Sequence, residues 1–302
     1  MKIQKCQGAL TDGEWIAQCD KRFSDRLKEI AEQIYTKEHT HLLKLTGPTC
    51  SGKTTAANML RKYFEALGCQ LHIVSIDDFY FDRDVLLSSF KKKGTAEIDY
   101  DSPKTIEWDA LRSFTRDIME NDKSQCPIFN FKEGKRTGYR TYECGENDVF
   151  LFEGIQVLYP EANEIFDACG EKVVGIYIAP QTSLYVKDQE VDPNELRLLR
   201  RLVRDENFRG MTSERTFFLW ESVRANEDTH IFPYIDACEY RIDSTMPYEL
   251  GVLKPFLERA LKDLSSESPY YLHAKEILSL LEPVTKISSH WIQEGSLYKE
   301  FV

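Results

Sequence analysis

Several features that would assign a chain of 302 residues to a specialised class are missing from this sequence. No apolar run approaches the roughly 20 residues that a bilayer-spanning helix needs, and the first ten residues, MKIQKCQGAL, lack the apolar core of a signal peptide. Internal repeats and low-complexity tracts are also absent. We therefore expect neither a membrane protein nor a repeat architecture, and the cytoplasm is the simplest location.

Positive charge is also in short supply, because 50 acidic residues face 39 basic ones and give a formal net charge of −11. Such a chain repels nucleic acid and anionic membranes, so neither is expected as a partner. The eight cysteines include no C-x-x-C pair and no histidine at ligand spacing, as in reduced cytosolic proteins. A hydrophobic content of 42% is enough for the core of an ordinary soluble globular protein.

The most informative feature that is present is a complete G-x-x-x-x-G-K-T phosphate loop. Gly47 and Gly52 permit backbone conformations that bring several amide N–H groups onto one anionic centre. Lys53 can then reach the β and γ phosphates of a nucleotide, and Thr54 offers the hydroxyl that Mg²⁺ needs as a ligand. The predicted nucleotide contacts are Gly47, Pro48, Thr49, Cys50, Ser51, Gly52, Lys53, Thr54 and Thr55.

The segments on either side of this loop are those that a nucleotide-binding loop requires. Residues 41–46, HLLKLT, are strand-like, and residues 53–67 carry apolar side chains at helical spacing. Further apolar segments separated by helical stretches predict an α/β fold of the P-loop NTPase type, a doubly wound and mostly parallel sheet flanked by helices. The additional predicted strands are 71–76, 149–152, 173–178 and 240–242.

Acidic residues follow two of the predicted strands, where the sheet delivers side chains to a ligand. Asp77 and Asp78 come just after the second strand, and only one of them is expected to face the γ phosphate because neighbouring residues point to opposite sides. Glu153 ends the third strand, and a carboxylate that caps such an apolar run is poorly explained by packing. Together with Thr54, Glu153 and Asp77 are the predicted metal ligands.

Residues 192–210, DPNELRLLRRLVRDENFRG, are predicted to form a helix that starts at Asp192 and Pro193 and stops at Gly210. Four arginines at i, i+3, i+4 and i+7 spacing oppose an apolar stripe: Arg197, Arg200, Arg201 and Arg204 lie opposite Leu196, Leu199 and Val203. Because like charges at this spacing are mildly destabilising, an anionic partner is expected. We interpret residues 192–212 as a mobile lid in which Arg204 and Arg209 stabilise the triphosphate during transfer.

These motifs occur in one order, which resembles the uridine kinase and phosphoribulokinase family of P-loop kinases, most of all the kinase domain of bacterial TGS-containing nucleoside kinases. After the phosphate loop come SIDDFY at 75–80, DYDSP at 99–103, PIFNF at 127–131, FEGI at 152–155 and RRLVRDxxxRG at 200–210. The resemblance runs from about residue 42 to residue 244, and PYELGVLKP at 247–255 extends it. It implies ATP as the donor, Mg²⁺ as the cofactor and a small-molecule acceptor.

The resemblance also implies roles for individual residues. Asp77 would be the base that activates the acceptor, Asp101 the partner of ribose hydroxyls, and Phe129 and Phe131 the walls of the acceptor pocket. Lys53, Arg204 and Arg209 would act on the transferred phosphate. The remaining predicted substrate contacts are Asp78, Tyr80, Arg136 and Arg201.

Two departures from the family pattern concern the acceptor. Gly134 stands where uridine kinases usually have a base-reading histidine, and Met211 stands where they usually have an arginine. Both changes remove polar contacts. Pyrimidine specificity is therefore less secure than phosphorylation by ATP.

The sequence therefore predicts an ATP-dependent kinase that phosphorylates the 5′-hydroxyl of a nucleoside such as uridine or cytidine. A kinase for a sugar, a sugar phosphate or a small hydroxy acid fits the same motifs. A non-catalytic ATP-binding regulator is the alternative outside enzymology. The sequence is also compatible with a homo-oligomer.

The predicted domain organisation follows from the residue patterns together with the extent of the resemblance. An N-terminal helical extension would cover residues 1–40, with a helix at 12–37, and the kinase domain residues 41–265. Residues 266–302 would form an amphipathic helix and an irregular tail packed on that domain. Residues 82–142 are rich in charge and turns, which suits a substrate-covering insertion better than sheet.

Overall fold

A computed structural model of the chain describes residues 10–38, 40–91, 100, 102–145 and 147–302. The strands in these ranges are β1 Leu42–Thr46, β2 Leu71–Ser75, β3 Lys123–Asn130, β4 Lys135–Glu143, β5 Val149–Glu153, β6 Val173–Ala179, β7 Leu184–Val186, β8 Gln189–Val191 and β9 Tyr240–Asp243. The α-helices are α1 Asp12–Gln33, α2 Lys53–Ala66, α3 Arg83–Lys91, α4 Trp108–Asn121, α5 Pro160–Asp167, α6 Pro193–Arg209, α7 Ser213–His230, α8 Glu249–Leu261 and α9 Tyr271–Leu281. Within the same ranges, no helix has the length and apolar character to cross a membrane.

The central sheet has five strands in the order β2-β5-β1-β6-β9, and every neighbouring pair is parallel. Side chains of β1 alternate between the two faces, since Leu43 and Leu45 join one buried cluster and Leu42 joins the other. Burial on both faces explains the nearly unbroken apolar strands. The predicted fold, a doubly wound parallel sheet of the P-loop type, is confirmed.

The register of the sheet brings the predicted site residues to one edge. Glu153, the last residue of β5, pairs with Leu45 on one side and with Ser75, the last residue of β2, on the other. The phosphate loop follows β1, and a short 3₁₀ turn with Asp77 and Asp78 follows β2. The carboxyl ends of three neighbouring strands therefore place the loop beside both acidic segments.

The segment at 82–142 contains more regular structure than the sequence suggested. Helices α3 and α4 lie in it, and β3 pairs with β4 to form an antiparallel two-stranded sheet outside the central one. The prediction of an insertion with little sheet was wrong on this point. Charged and turn-forming residues along β4 hide the strand from pattern reasoning because most of its side chains face solvent.

Helix α1 and the C-terminal tail both pack into the core that contains the phosphate-loop helix. Helix α1 buries one face against α2, and a π-helical turn over Ile34–Glu38 follows it. The C-terminal tail is also buried, since Tyr298 and Phe301 are fully inaccessible to solvent. The domain boundaries at 40 and 265 stay a prediction.

Candidate active site

The phosphate loop has the backbone of an anion-binding nest. Cys50 and Gly52 both have positive φ angles, of 59° and 91°, and Gly52 caps the first turn of α2. A Cβ at Gly47 would clash with the backbone carbonyl of Ile178, so this position needs glycine. The Nζ of Lys53 donates to the carbonyl oxygens of Gly47 (2.8 Å) and Pro48 (3.0 Å) and closes the loop.

Two hydroxyls beside the loop indicate that this site fits a ligand with acceptor oxygens. Ser51 Oγ and Thr46 Oγ1 are buried and have no hydrogen-bond partner in the described structure. Buried polar atoms are nearly always paired, so these two point to a partner that the protein itself does not supply. Thr54 is exposed at the start of α2, where its hydroxyl is open to a ligand.

The carboxylates of Asp77 and Glu153 face the same region as Lys53. Burial lowers the pKa of the Lys53 ammonium, and the charges of Glu153 and Asp77 oppose that shift. Burial likewise raises the pKa of both carboxyl groups. Glu153 accepts a hydrogen bond from Ser75 Oγ at 2.6 Å.

The predicted metal ligands Thr54, Glu153 and Asp77 form no ready-made metal cage. Among the residues that the structure describes, no group of three or more His, Cys, Asp or Glu side chains could hold a metal ion. Mg²⁺ in such enzymes is usually bound through one or two carboxylates together with water and substrate phosphates. The metal assignment therefore stays a prediction that depends on bound nucleotide.

Asp78 points away from this cluster. Its Oδ1 accepts a hydrogen bond from the backbone N–H of Phe129 at 3.0 Å and so ties the 3₁₀ turn to β3. This contact gives Asp78 a structural task, and its predicted contact with substrate stays untested. As the sequence suggested, the two neighbouring carboxylates serve different sides, and Asp77 is the one whose charge acts on Lys53.

Three of the predicted acceptor residues form an aromatic cluster. The ring centroid of Tyr80 lies 5.6 Å from that of Phe129 and 5.9 Å from that of Phe131. Phe129 is buried, whereas Phe131 is 55% exposed and follows the end of β3, so only Phe131 presents its ring to solvent. Asp101 lies outside the described residues.

Arg136 has a partner other than substrate, because its guanidinium forms an ion pair with Glu107. Its backbone N–H also donates to Asp82 at 2.9 Å. The predicted contact of Arg136 with substrate stays a prediction. Arg83 lies beside the aromatic cluster, because its guanidinium donates to the carbonyl oxygen of Phe131 at 3.0 Å.

The arginine helix corrects the sequence interpretation most clearly. It begins and ends as predicted, with Asp192 as N-cap and Gly210 as C-cap, but it is buried on both sides. Each of the four arginine side chains of this face pairs with a carboxylate of the chain itself, but Arg201 and Arg204 share a single one. Arg197 pairs with Glu227, Arg200 with Glu249, and both Arg201 and Arg204 with Asp205.

Two of these arginines, Arg197 and Arg200, contact the backbone carbonyls of the phosphate loop. Arg200 Nη1 donates to the carbonyl oxygen of Cys50 at 3.2 Å, and Arg197 Nη1 lies 3.4 Å from that of Thr49. Glu227, the partner of Arg197, also accepts from the N–H of Thr49 at 3.2 Å. Both loop carbonyls and the Thr49 amide are thereby held by side chains of the protein itself.

We expect Arg200→Met to destabilise the fold strongly. Arg200 and Glu249 are both fully buried and share two hydrogen bonds of 2.8 and 3.1 Å, so the substitution leaves an unpaired buried carboxylate. Breaking such a pair costs about 3 to 5 kcal/mol of unfolding free energy. Chemical denaturation should show this loss, whereas Arg241→Met, which breaks an exposed pair with Asp236, should cost at most about 1 kcal/mol. Equal losses in the two variants would contradict the prediction.

The burial of α6 does not fit a lid that moves as a whole helix. Arg201 is 7% exposed and its Nε lies 3.3 Å from Asp205, so its predicted contact with substrate stays a prediction. Arg204 donates to Asp205 at 2.8 Å, while Arg209 has a half-exposed side chain at the end of the helix. We therefore restrict the lid hypothesis to the C-terminal end of α6, which carries Arg204 and Arg209.

Sequence reasoning missed Gln156, which lies in the centre of the site. Its Nε2 donates to Asp77 Oδ1 and to the Tyr80 hydroxyl, both at 3.0 Å, and its Oε1 is buried with no hydrogen-bond partner in the described structure. The carboxylate of Asp77 therefore accepts hydrogen bonds from both Gln156 and Tyr80. An amide inside the apolar run IQVL was the available signal.

Comparisons with known proteins agree with this geometry. The model of the family described as "Phosphoribulokinase / Uridine kinase family" matches residues 42–249. A uridine kinase of Ureaplasma urealyticum is 29% identical over 182 residues, 60% of this chain and 76% of that protein. Uridine-cytidine kinase B of Dictyostelium discoideum is 28% identical over 198 residues, 65% and 71% of the two chains. The solved structure of the YGR205w protein, at 18% identity, covers 72% of this chain and 89% of that one with a TM-score of 0.51, which supports the fold alone.

Proposed function

The chain belongs to the phosphoribulokinase/uridine kinase family. From this premise we propose that it transfers the γ-phosphate of ATP to the 5′-hydroxyl of a nucleoside. Uridine and cytidine are the leading candidates. Membership makes it a phosphotransferase with an alcohol group as acceptor and implies ATP as the donor. The proposal depends on one observation. The charged groups of Lys53, Asp77 and Glu153 act on one another at the phosphate loop, beside an aromatic cluster.

In the proposed reaction the chain mainly positions the reactants and neutralises charge. Loop amides and Lys53 bind the phosphates, and Arg204 and Arg209 stabilise the charge that develops during transfer. Asp77 accepts the proton of the acceptor hydroxyl. The hydroxyl oxygen bonds to the γ phosphorus as the bond between that phosphorus and the leaving ADP breaks. Mg²⁺, held through Thr54 and the acidic residues, would neutralise further negative charge on the phosphates.

The aromatic cluster supports a nucleoside as the acceptor. Phe131 offers an exposed ring, and a nucleobase presents a flat π face that stacks on such rings. Tyr80 connects this cluster to the proposed base, because Gln156 donates to both Tyr80 and Asp77. A nucleobase held against Phe131 would thus lie on the same side of the site as Asp77, the carboxylate that activates the ribose hydroxyl.

A specific observation favours the second candidate, an acceptor that carries a phosphate or carboxylate group. Arg83 is half-buried beside Phe131, donates from Nε to Tyr100 Oη at 3.4 Å, and has no carboxylate in ion-pair distance among the described residues. Its guanidinium packs where a Cβ at Gly134 would lie, so glycine makes room for it. A guanidinium in this position would suit a sugar phosphate or a small hydroxy acid.

The acceptor is tested by ADP release from Mg-ATP against nucleosides, sugars, sugar phosphates and hydroxy acids. We expect release to depend on a nucleoside, with a KM that Arg83→Met leaves within about twofold, since a neutral acceptor makes no ion pair with Arg83. Release that depends on an anionic acceptor, and a KM that rises about tenfold or more in Arg83→Met, would replace the nucleoside by the second candidate. Binding of ATP without release for any acceptor would instead favour a non-catalytic regulator.

A further inference from the structure

The C-terminal tail reaches the first turn of the phosphate-loop helix. Glu300 Oε1 accepts hydrogen bonds from the backbone N–H of Thr55 at 2.8 Å and from its hydroxyl at 2.6 Å. Thr55 is the third residue of α2, so its N–H is one of the amides that have no partner inside the helix. A carboxylate of the chain therefore occupies a place that the phosphate-loop motif reserves for phosphate oxygens.

Other contacts show that the tail is seated on the loop itself. The side chain of Leu297 fills the space that a Cβ at Gly52 would need. The charge of Glu300 acts on Lys53 and on Arg204, and it contributes to the raised pKa of Glu153 after burial and Asp77. Glu300 thus lies in the same electrostatic field as the groups that would bind the triphosphate, although it lies outside residues 42–249.

We propose that Glu300 is an internal competitor of ATP: its carboxylate occupies a phosphate subsite at the start of α2 and withdraws when nucleotide binds. The inference rests on the proposed function, because it assumes that the loop binds ATP. One N–H and one hydroxyl cannot serve a carboxylate and a phosphate at full strength, and the two anions repel each other at contact distance. The ligand-free chain would therefore hold its nucleotide site in an autoinhibited state.

The tail does not have to unfold for this exchange. Tyr298 and Phe301 anchor it on either side, since both are fully buried and the Tyr298 hydroxyl binds Glu249. Glu300 itself is partly exposed and borders a groove of about 220 Å³ between α2 and the tail. Lys62 and Lys299 line this groove and offer the carboxylate a second position. The switch is a side-chain rotation between two anchors.

The test is equilibrium binding of ATP in the presence of Mg²⁺ to the full chain. Glu300→Gln keeps the shape of the side chain and removes its charge, so we expect its Kd to fall roughly tenfold, the factor for a competitor docked about nine-tenths of the time. Glu164→Gln is the control, because Glu164 lies in α5 rather than in the tail, is exposed and forms no ion pair in the described structure. Its Kd should equal that of the wild type.

A second variant protects the test against loss of fold. Glu300→Asp keeps the charge but draws it back from Thr55, and it should tighten binding as well, with a Tm close to that of the wild type. An unchanged or higher Kd in both variants, while the wild type binds ATP and Lys53→Ala does not, would overturn the competitor and leave the proposed function intact. Absence of binding in the wild type and in both variants would overturn the two together.

Discussion

Lys53→Ala is expected to remove nucleotide binding and phosphoryl transfer together. The ammonium donates to the loop carbonyls of Gly47 and Pro48, and it is the positive charge that the loop itself supplies to a triphosphate. Removing one partner of a buried charge pair, here the Lys53 ammonium and a bound phosphate, costs about 2 to 5 kcal/mol of binding free energy. This loss corresponds to an increase in Kd of about 30-fold to a few thousand-fold. Calorimetric titration with Mg-ATP measures the loss, and ADP release should fall below detection.

A matched control separates this effect from damage to the helix. Arg61 lies in α2 two turns after Lys53, is exposed, and donates only to Asn58 within the described structure. Arg61→Ala should bind Mg-ATP as the wild type does, and both variants should keep a Tm near that of the wild type. Normal binding in Lys53→Ala would contradict the assignment of the loop as a nucleotide site, whatever the acceptor.

The sheet and the phosphate loop could be predicted because their signals are local. The apolar run at 149–152 and the glycines at 47 and 52 report their own environment: burial on both faces for the strand, and close backbone approach for the loop. The boundaries of α6 were local too, since Asp192 caps the helix and Gly210 adopts the left-handed conformation that ends it. The likeness to TGS-containing nucleoside kinases within the family stays a prediction.

The environment of the arginines could not be predicted because their partners lie far away in the chain. Glu227 is 30 residues from Arg197, and Glu249 is 49 residues from Arg200. A helical pattern shows that four like charges share a face, but it does not show which element covers that face. The same limit hid Glu300, which meets Thr55 across 245 residues, and Gln156, which meets Asp77 across 79.

Asp77→Asn is expected to abolish transfer while nucleotide binding is nearly unchanged. Asparagine keeps the size of the side chain but cannot accept the proton of an acceptor hydroxyl, and removal of a positioned general base lowers kcat by about 10² to 10⁴. Gln156 donates to one oxygen of the present carboxylate at 3.0 Å and so positions it at the site. Single-turnover measurement of ADP formation, together with the Kd for Mg-ATP, separates the chemical step from binding.

The neighbouring carboxylate decides whether Asp77 is the base. Asp78 accepts from the N–H of Phe129, and asparagine keeps an acceptor oxygen for it. Asp78→Asn should therefore cost at most about 1 kcal/mol of unfolding free energy and reduce kcat far less than Asp77→Asn does. If Asp77→Asn kept near-normal turnover and Asp78→Asn lost it, the base would be Asp78. If both kept it, transfer would need no carboxylate after β2, and positioning by the loop and the arginines at the end of α6 would account for the rate.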